Sequence, residues 1–116
     1  MELVAYKTEN GRTPFQTWFR GLDRAARARV GAALVRLEQG NLSNTKSVGS
    51  GVLEFRIDFG PGYRIYFGRD GQELILLLTG GDKRRQQRDI DEAITFWDDY
   101  KLRKRRTRAR DDQAVR

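Results

Sequence analysis

Between residues 52 and 83 the chain alternates apolar and polar positions with a period of two. Leu53, Phe55, Ile57 and Phe59 share one face of a strand over 52–59, and Glu54, Arg56 and Asp58 share the other. Tyr63, Ile65 and Phe67 repeat the pattern over 63–67, against Arg64 and Tyr66. That period marks strands with one buried face. A three-residue loop at Gly60-Pro61-Gly62 sets Phe59 opposite Tyr63, Ile57 opposite Ile65 and Phe55 opposite Phe67, so apolar meets apolar throughout. Asp58 then faces Arg64, and Arg56 faces Tyr66. Asp70-Gly71 suits a two-residue primed turn into a strand over 73–79, with Leu74, Leu76 and Leu78 opposite Phe67, Ile65 and Tyr63. The prediction is an antiparallel meander with one apolar face and one carrying Arg56, Arg64 and Tyr66.

Residues 2–7 supply a short strand with Leu3, Val4 and Tyr6. Thr13-Pro14-Phe15-Gln16 opens a helix, with Thr13 as cap, Pro14 in the first position and Gln16 closing a capping box. Phe15, Trp18, Phe19 and Leu22 then form one apolar stripe, read as core. Asp23 caps a second helix to about Gln39, stopped by Gly40, with Ala26, Val30, Ala33, Leu34 and Leu37 inward. Its Arg24, Arg27, Arg29 and Arg36 lie on a solvated face. Residues 41–51 are polar and read as a loop containing Lys46. A third helix is expected over 85–100, with Ile90, Ala93, Ile94 and Trp97 inward, and residues 101–110 either extend it or fray from it. The order strand, helix, helix, three strands, helix predicts an α+β domain, β-α-α-β-β-β-α, with two N-terminal helices packed on a small twisted antiparallel sheet.

Charge changes this picture in one place. Residues 1–100 hold 15 Lys/Arg and 14 Asp/Glu, whereas residues 101–116 hold 8 Lys/Arg and 2 Asp. The chain therefore divides into a nearly neutral domain over 1–100 and a basic tail over 101–116, and the overall charge of +7 says little about a site within the fold. There is no cysteine or histidine, which removes disulfides, thiolate metal sites and the usual general base. The carboxylates show no ligand spacing, so neither a metal nor a cofactor is expected. No apolar run approaches the roughly 20 residues of a membrane helix, and the expected location is cytoplasmic.

The remaining chemistry is cationic. Arg56, Arg64 and Lys83 suit phosphate oxygens, and Tyr66 beside them suits a stacked base. The alternative is an ion network in which Arg64 pairs with Asp58, and Arg56 with Glu54 or Asp58. Gly80-Gly81 either frees backbone N–H groups for a phosphate or simply turns the chain. RNA cleavage needs no metal: the 2′-OH attacks its own phosphate, and cations stabilise the added charge.

The run LEFRIDFGPGYRIYFGRDG followed by LILLLTGGDKRRQQRDIDEA resembles the RelE/ParE toxin superfamily over residues 1–100. More narrowly it resembles the HigB-like, addiction module killer branch of type II toxin–antitoxin systems. The resemblance implies a RelE-like fold and an endoribonuclease that cleaves mRNA, on the ribosome in many members, and is blocked by a cognate antitoxin. It also implies that Arg64, Arg56 and Lys83 are catalytic. Lys46, Arg84 and Arg85, together with Tyr66, are the expected RNA contacts. The family's C-terminal catalytic tyrosine or histidine finds no match in Arg84-Arg85-Gln86-Gln87, and the next tyrosine is Tyr100. A gyrase-poisoning toxin of the ParE kind and a non-catalytic binder are the competing readings. The basic tail suits ribosomal RNA, an acidic antitoxin segment or a disordered appendage.

Overall fold

A computed structural model describes residues 1–114. Strand β1 (Glu2–Ala5) leads to helices α1 (Pro14–Arg20) and α2 (Arg24–Glu38). Strands β2 (Thr45–Gly49), β3 (Val52–Ile57), β4 (Tyr63–Asp70) and β5 (Leu74–Asp82) follow. A single 3-10 turn (Lys83–Arg85) then feeds α3 (Gln86–Ala114). The class is α+β, as expected, but the sheet has five strands in the order β1-β5-β4-β3-β2. Residues 41–51 are not a plain loop, because Thr45–Gly49 pairs with β3. Nor is the sheet wholly antiparallel, because β1 runs parallel to β5.

The meander exists with different registers. Phe55 faces Ile65, Ile57 faces Tyr63 and Arg56 faces Arg64, so β3 and β4 are shifted two residues from the expected pairing. A slip of two keeps every side chain on its face, so hydrophobic matching alone could not separate the two registers. The chain needs the longer connection because Phe59 N–H bonds the Ile57 carbonyl and Gly62 N–H bonds the Phe59 carbonyl, coiling the loop. On the other side Asp70 pairs with Leu74 across a three-residue loop, and a bulge at Leu78 separates the Phe67–Leu77 pair from the Tyr66–Thr79 pair. This register turns Ile75 and Leu77 to one face and Leu76 and Leu78 to the other.

Both faces of the sheet are therefore buried. One core joins Phe15, Val30, Ala33 and Leu37 of α1 and α2 to Phe55, Ile65, Phe67, Ile75 and Leu77. The second joins Tyr6, Val52, Tyr66, Leu76 and Leu78 to Ala93 and Trp97 of α3. The uninterrupted run Ile75–Leu78 is the mark of a strand covered on both sides. Trp97 lies so close to Gly68 that a Cβ there would collide with its ring, and Trp18 does the same over Gly80 on the opposite face.

The caps divide. Asp23 accepts the Ala26 N–H at 2.8 Å, as predicted for α2. Thr13 caps nothing, since its hydroxyl donates to the Gln16 side chain at 3.0 Å and the capping box is not formed. Beyond Tyr100 the helix continues through most of the basic tail, whose last two residues lie outside the described range. Its near part is held to the sheet. Asp70 accepts from Lys104 and Tyr100, and the two bonds hold its carboxyl below the usual range. Tyr6 donates to Asp99, and burial pushes its phenol up to about 12 with Asp99 adding to the rise. Among the described residues no helix is long and apolar enough to cross a membrane.

Candidate functional site

The second face of β3 and β4 was expected to lie open, and α3 closes most of it. Tyr66 is fully buried, so its ring is not available to stack on a base. Its hydroxyl has no hydrogen-bond partner among the described residues, and burial together with Glu54 raises its pKa far above that of an ordinary phenol. Tyr66 is a core residue here.

The helix stops short of the sheet's end at the Gly60–Gly62 loop, and there the cations gather. Arg64 side chain is only 7% exposed, with Nε 3.7 Å from Glu54 Oε1, and Glu54 itself is 1% exposed. Arg64 Nη1 donates to the Gly62 carbonyl at 2.9 Å. Glu54 is further fixed by Gln86, whose amide donates to it at 2.9 Å, and by Lys46 at 3.8 Å. The sequence offered Asp58 as the partner of Arg64, but Asp58 pairs with Arg56 at 3.6 Å on the exposed surface. That second pairing was among the expected ones.

A cleft of about 480 Å³ opens over this end, walled by Arg56, Asp58, Arg64, Lys83 and Phe59, with Gly60-Pro61-Gly62 as its floor. Gly62 has a φ of +82°, and a Cβ there would stand 3.4 Å from Arg64 Nη1 and 3.9 Å from Lys83 Cβ. Glycine thus permits both the loop's left-handed turn and the approach of the two cations. Arg29 of α2 lies over the Phe59 ring, 4.7 Å from its centroid, behind one wall. A second cleft of about 270 Å³ shares Arg56 and Asp58 and adds Lys46, Glu54 and Asn44. The structure thus brings Arg56, Arg64 and Lys83 together and places Lys46 beside them.

Arg84 and Arg85 point elsewhere. They line a larger cleft of about 700 Å³ with Trp18, Gly80, Gly81, Arg88 and Asp89. There Arg84 is bound to Asp82 at 3.1 Å and Arg88 to Glu92 at 3.9 Å. Gly80 and Gly81 do not turn the chain, because both belong to β5. Gly80 instead admits Trp18, and Gly81 admits the Asp89 carboxylate. Asp89 is 8% exposed, and desolvation, reinforced by Glu92, raises its proton affinity. No three carboxylates among the described residues converge as a metal site.

Gln86 and Asp89 were not singled out by sequence reasoning, and Glu54 was offered as a partner of Arg56 rather than of Arg64. Glu54 stood on the predicted polar face. Only the position of α3 shows that this face is interior at Glu54 and exposed at Arg56.

The comparisons agree with the segment that builds this site. The family model described as "Phage derived protein Gp49-like" matches residues 17–97, which include the lining of all three clefts and α3 as far as Trp97. An uncharacterized protein of Haemophilus influenzae (strain ATCC 51907 / DSM 11121 / KW20 / Rd) is 42% identical over 80 residues, covering 68% of this chain and 81% of the relative.

Proposed function

Since the chain belongs to the Gp49-like phage-derived protein family, a family of addiction-module toxin type related to RelE, we propose that it is the toxin of a type II toxin–antitoxin pair and cleaves mRNA in the Gly60–Gly62 cleft. The convergence of Arg56, Arg64 and Lys83 on one cleft carries this reading. The HigB-like branch is the finer assignment, supported by the GYRIYF and LTGGDK runs. An antitoxin is the implied partner. The ribosome is the expected setting, and a cytoplasmic location follows from the substrate.

In the reaction the 2′-oxygen attacks the adjacent phosphorus and the bond to the 5′-oxygen breaks. The products are a 2′,3′-cyclic phosphate and a 5′-hydroxyl. Arg64, held by Glu54 and the Gly62 carbonyl, is a fixed cation for the phosphorane oxygens. Preorganised charge of this kind needs no rearrangement as the transition state forms. Arg56 and Lys83 are exposed and meet the phosphate from the rim. Arginine stays protonated, so Lys83 is the cation able to return a proton to the leaving 5′-oxygen. Asp58 is the carboxylate lining the cleft and the acceptor for the 2′-OH proton. Lys46 extends the contact along the strand.

The test is cleavage of a defined mRNA by purified protein, alone and on translating ribosomes, with the new ends mapped by primer extension. Arg56→Ala and Lys83→Ala each remove an exposed side chain, and each is expected to lower cleavage by roughly 10²-fold with the fold intact. Growth arrest with intact mRNA and accumulated gyrase–DNA complexes would overturn the proposal in favour of gyrase poisoning.

A further inference from the structure

We infer that the cleft beside Trp18 and Gly81 takes a guanine nucleotide, with the Asp89 carboxylate reading the base and Arg85 meeting its phosphate. This rests on the proposed cleavage of RNA, and it gives the enzyme a preference for guanine beside the scissile phosphate.

Pairing within the cleft leaves one anion and one cation over. Its charged lining is Asp82, Arg84, Arg85, Arg88, Asp89 and Glu92. Arg84 is bound to Asp82 at 3.1 Å, and Arg88 to Glu92 at 3.9 Å. Asp89 and Arg85 form no ion pair among the described residues. They differ in depth, since Asp89 is 8% exposed whereas Arg85 is exposed at the rim. The Asp89 carboxylate lies against the backbone of Gly81, where the missing side chain makes room for it. No hydrogen bond to that carboxylate is present among the described residues. A carboxylate held out of water without donors is unfavourable, and a ligand that brings two N–H groups offsets that cost.

Chemistry then selects the ligand. An ionised carboxylate only accepts hydrogen bonds. On its Watson–Crick edge guanine presents N1–H and N2–H side by side, a pair of donors matched to the two carboxylate oxygens. Adenine and cytosine each set one amino donor beside an acceptor nitrogen, and uracil sets one N–H between two carbonyls. Each of these turns lone pairs toward Asp89. Trp18, packed over Gly80, gives the planar base an apolar wall. Arg85 leaves a cation at the rim for a phosphate. An arginine-bearing peptide also offers paired donors, but Arg84, Arg85 and Arg88 line the same cleft and repel it.

The position suits a substrate already held at the Gly60–Gly62 cleft. Gly81 pairs with Arg64 across β4 and β5, and Lys83 follows Asp82 in the chain. Gly81 and Asp82 line one cleft, and Arg64 and Lys83 line the other. An RNA strand with its scissile phosphate on Arg64 and Lys83 therefore brings a neighbouring base to Asp89.

The probes are GMP, IMP, AMP and UMP, titrated separately into the isotope-labelled full chain and followed by amide and indole NMR shifts. GMP should bind roughly tenfold more tightly than AMP or UMP, with shifts at Gly80, Gly81 and the Trp18 indole. IMP keeps N1–H but lacks the 2-amino group, so it should fall between. Asp89→Asn replaces one acceptor with a donor and should bring the four nucleotides within about twofold of one another. Arg85→Ala should weaken all four alike and keep their order. Equal binding of GMP and AMP, IMP binding as tightly as GMP, or a guanine preference that survives Asp89→Asn overturns the proposal. So does the absence of shifts at Gly80, Gly81 and Trp18 at millimolar nucleotide. Cleavage of matched RNAs differing at one base, with and without translating ribosomes, separates the two readings. Cleavage indifferent to guanine defeats the guanine site alone. Guanine binding that Asp89→Asn abolishes, in a chain that cleaves no RNA, defeats the ribonuclease and upholds the nucleotide site.

Discussion

Replacing Glu54 with alanine removes the counter-ion of a buried arginine. The two side chains are 1% and 7% exposed, and the Arg64 Nε to Glu54 Oε1 separation is 3.7 Å. At an effective dielectric near 20 that separation corresponds to roughly 4.5 kcal/mol of attraction. The hydrogen bond from Gln86 adds to this, whereas the Lys46 contact adds little because Lys46 is 63% exposed. Relief of Glu54 desolvation works the other way, so the net loss falls near the 3–5 kcal/mol typical of breaking a buried pair from one side. Urea unfolding at neutral pH should show a loss of about 3 kcal/mol and a melting point lower by on the order of 10 °C. Glu54→Leu combined with Arg64→Met should recover most of that loss, since an apolar pair of similar volume leaves no charge uncompensated. A single variant losing under about 1 kcal/mol, or a double variant no better than the single, would refute the view that Glu54 is there to hold Arg64.

Arg64→Lys keeps the charge but loses the fork that reaches Glu54 and the Gly62 carbonyl together. RNA cleavage should fall far more than in Arg56→Lys, and equal losses would contradict a positioning role for the buried guanidinium. Gly81→Ala drives a methyl into the Asp89 carboxylate and should destabilise by about 1–3 kcal/mol in thermal melts. Asp89→Asn tests the sign of its shift. A raised carboxyl pKa means the charged form opposes folding above the folded-state value and has no effect below the ordinary 3.8, so the variant should melt higher at pH 7 and unchanged at pH 3. Asp70 and Asp99 are shifted down, by Lys104 and Tyr6 foremost. Their contribution is present above the ordinary 3.8 and lost as pH falls through the lower folded values, so hydrogen exchange over residues 99–104 should quicken below about pH 4.

What the sequence disclosed was the set of faces rather than the assembly. The alternation in β3 and β4 placed Phe55, Ile65 and Phe67 together, and the capping residue Asp23 placed the start of α2. Register escaped because a two-residue slip preserves every face. The strand at Thr45–Gly49 escaped because it is an edge of Thr, Lys, Ser, Val and Gly with little apolar content to betray it. The second layer was present in the Ile75–Leu78 run, whose continuous hydrophobicity demands two covered faces, and in the stripe of Ile90, Ala93 and Trp97 that covers one of them. Read separately, those two signals left Tyr66 on an open surface. Read together they bury it.

The same geometry explains why the cations sit where they do. A sheet face covered along its whole length would force Arg64 fully inside, and an open face would leave it as exposed as Arg56. Helix α3 begins at Gln86, so its cover runs out between Tyr66 and the Gly60–Gly62 loop. Arg64 falls at that border, with Nε turned to interior Glu54, Nη1 on a loop carbonyl and its side chain lining the cleft. Burial fixes its orientation, and in the proposed reaction the phosphate would reach it through the cleft. Arg56 and Lys83, just past the border, add charge without burial. A cationic site of this kind needs a second layer that ends at the right residue, and the 3-10 turn at Lys83–Arg85 sets that end.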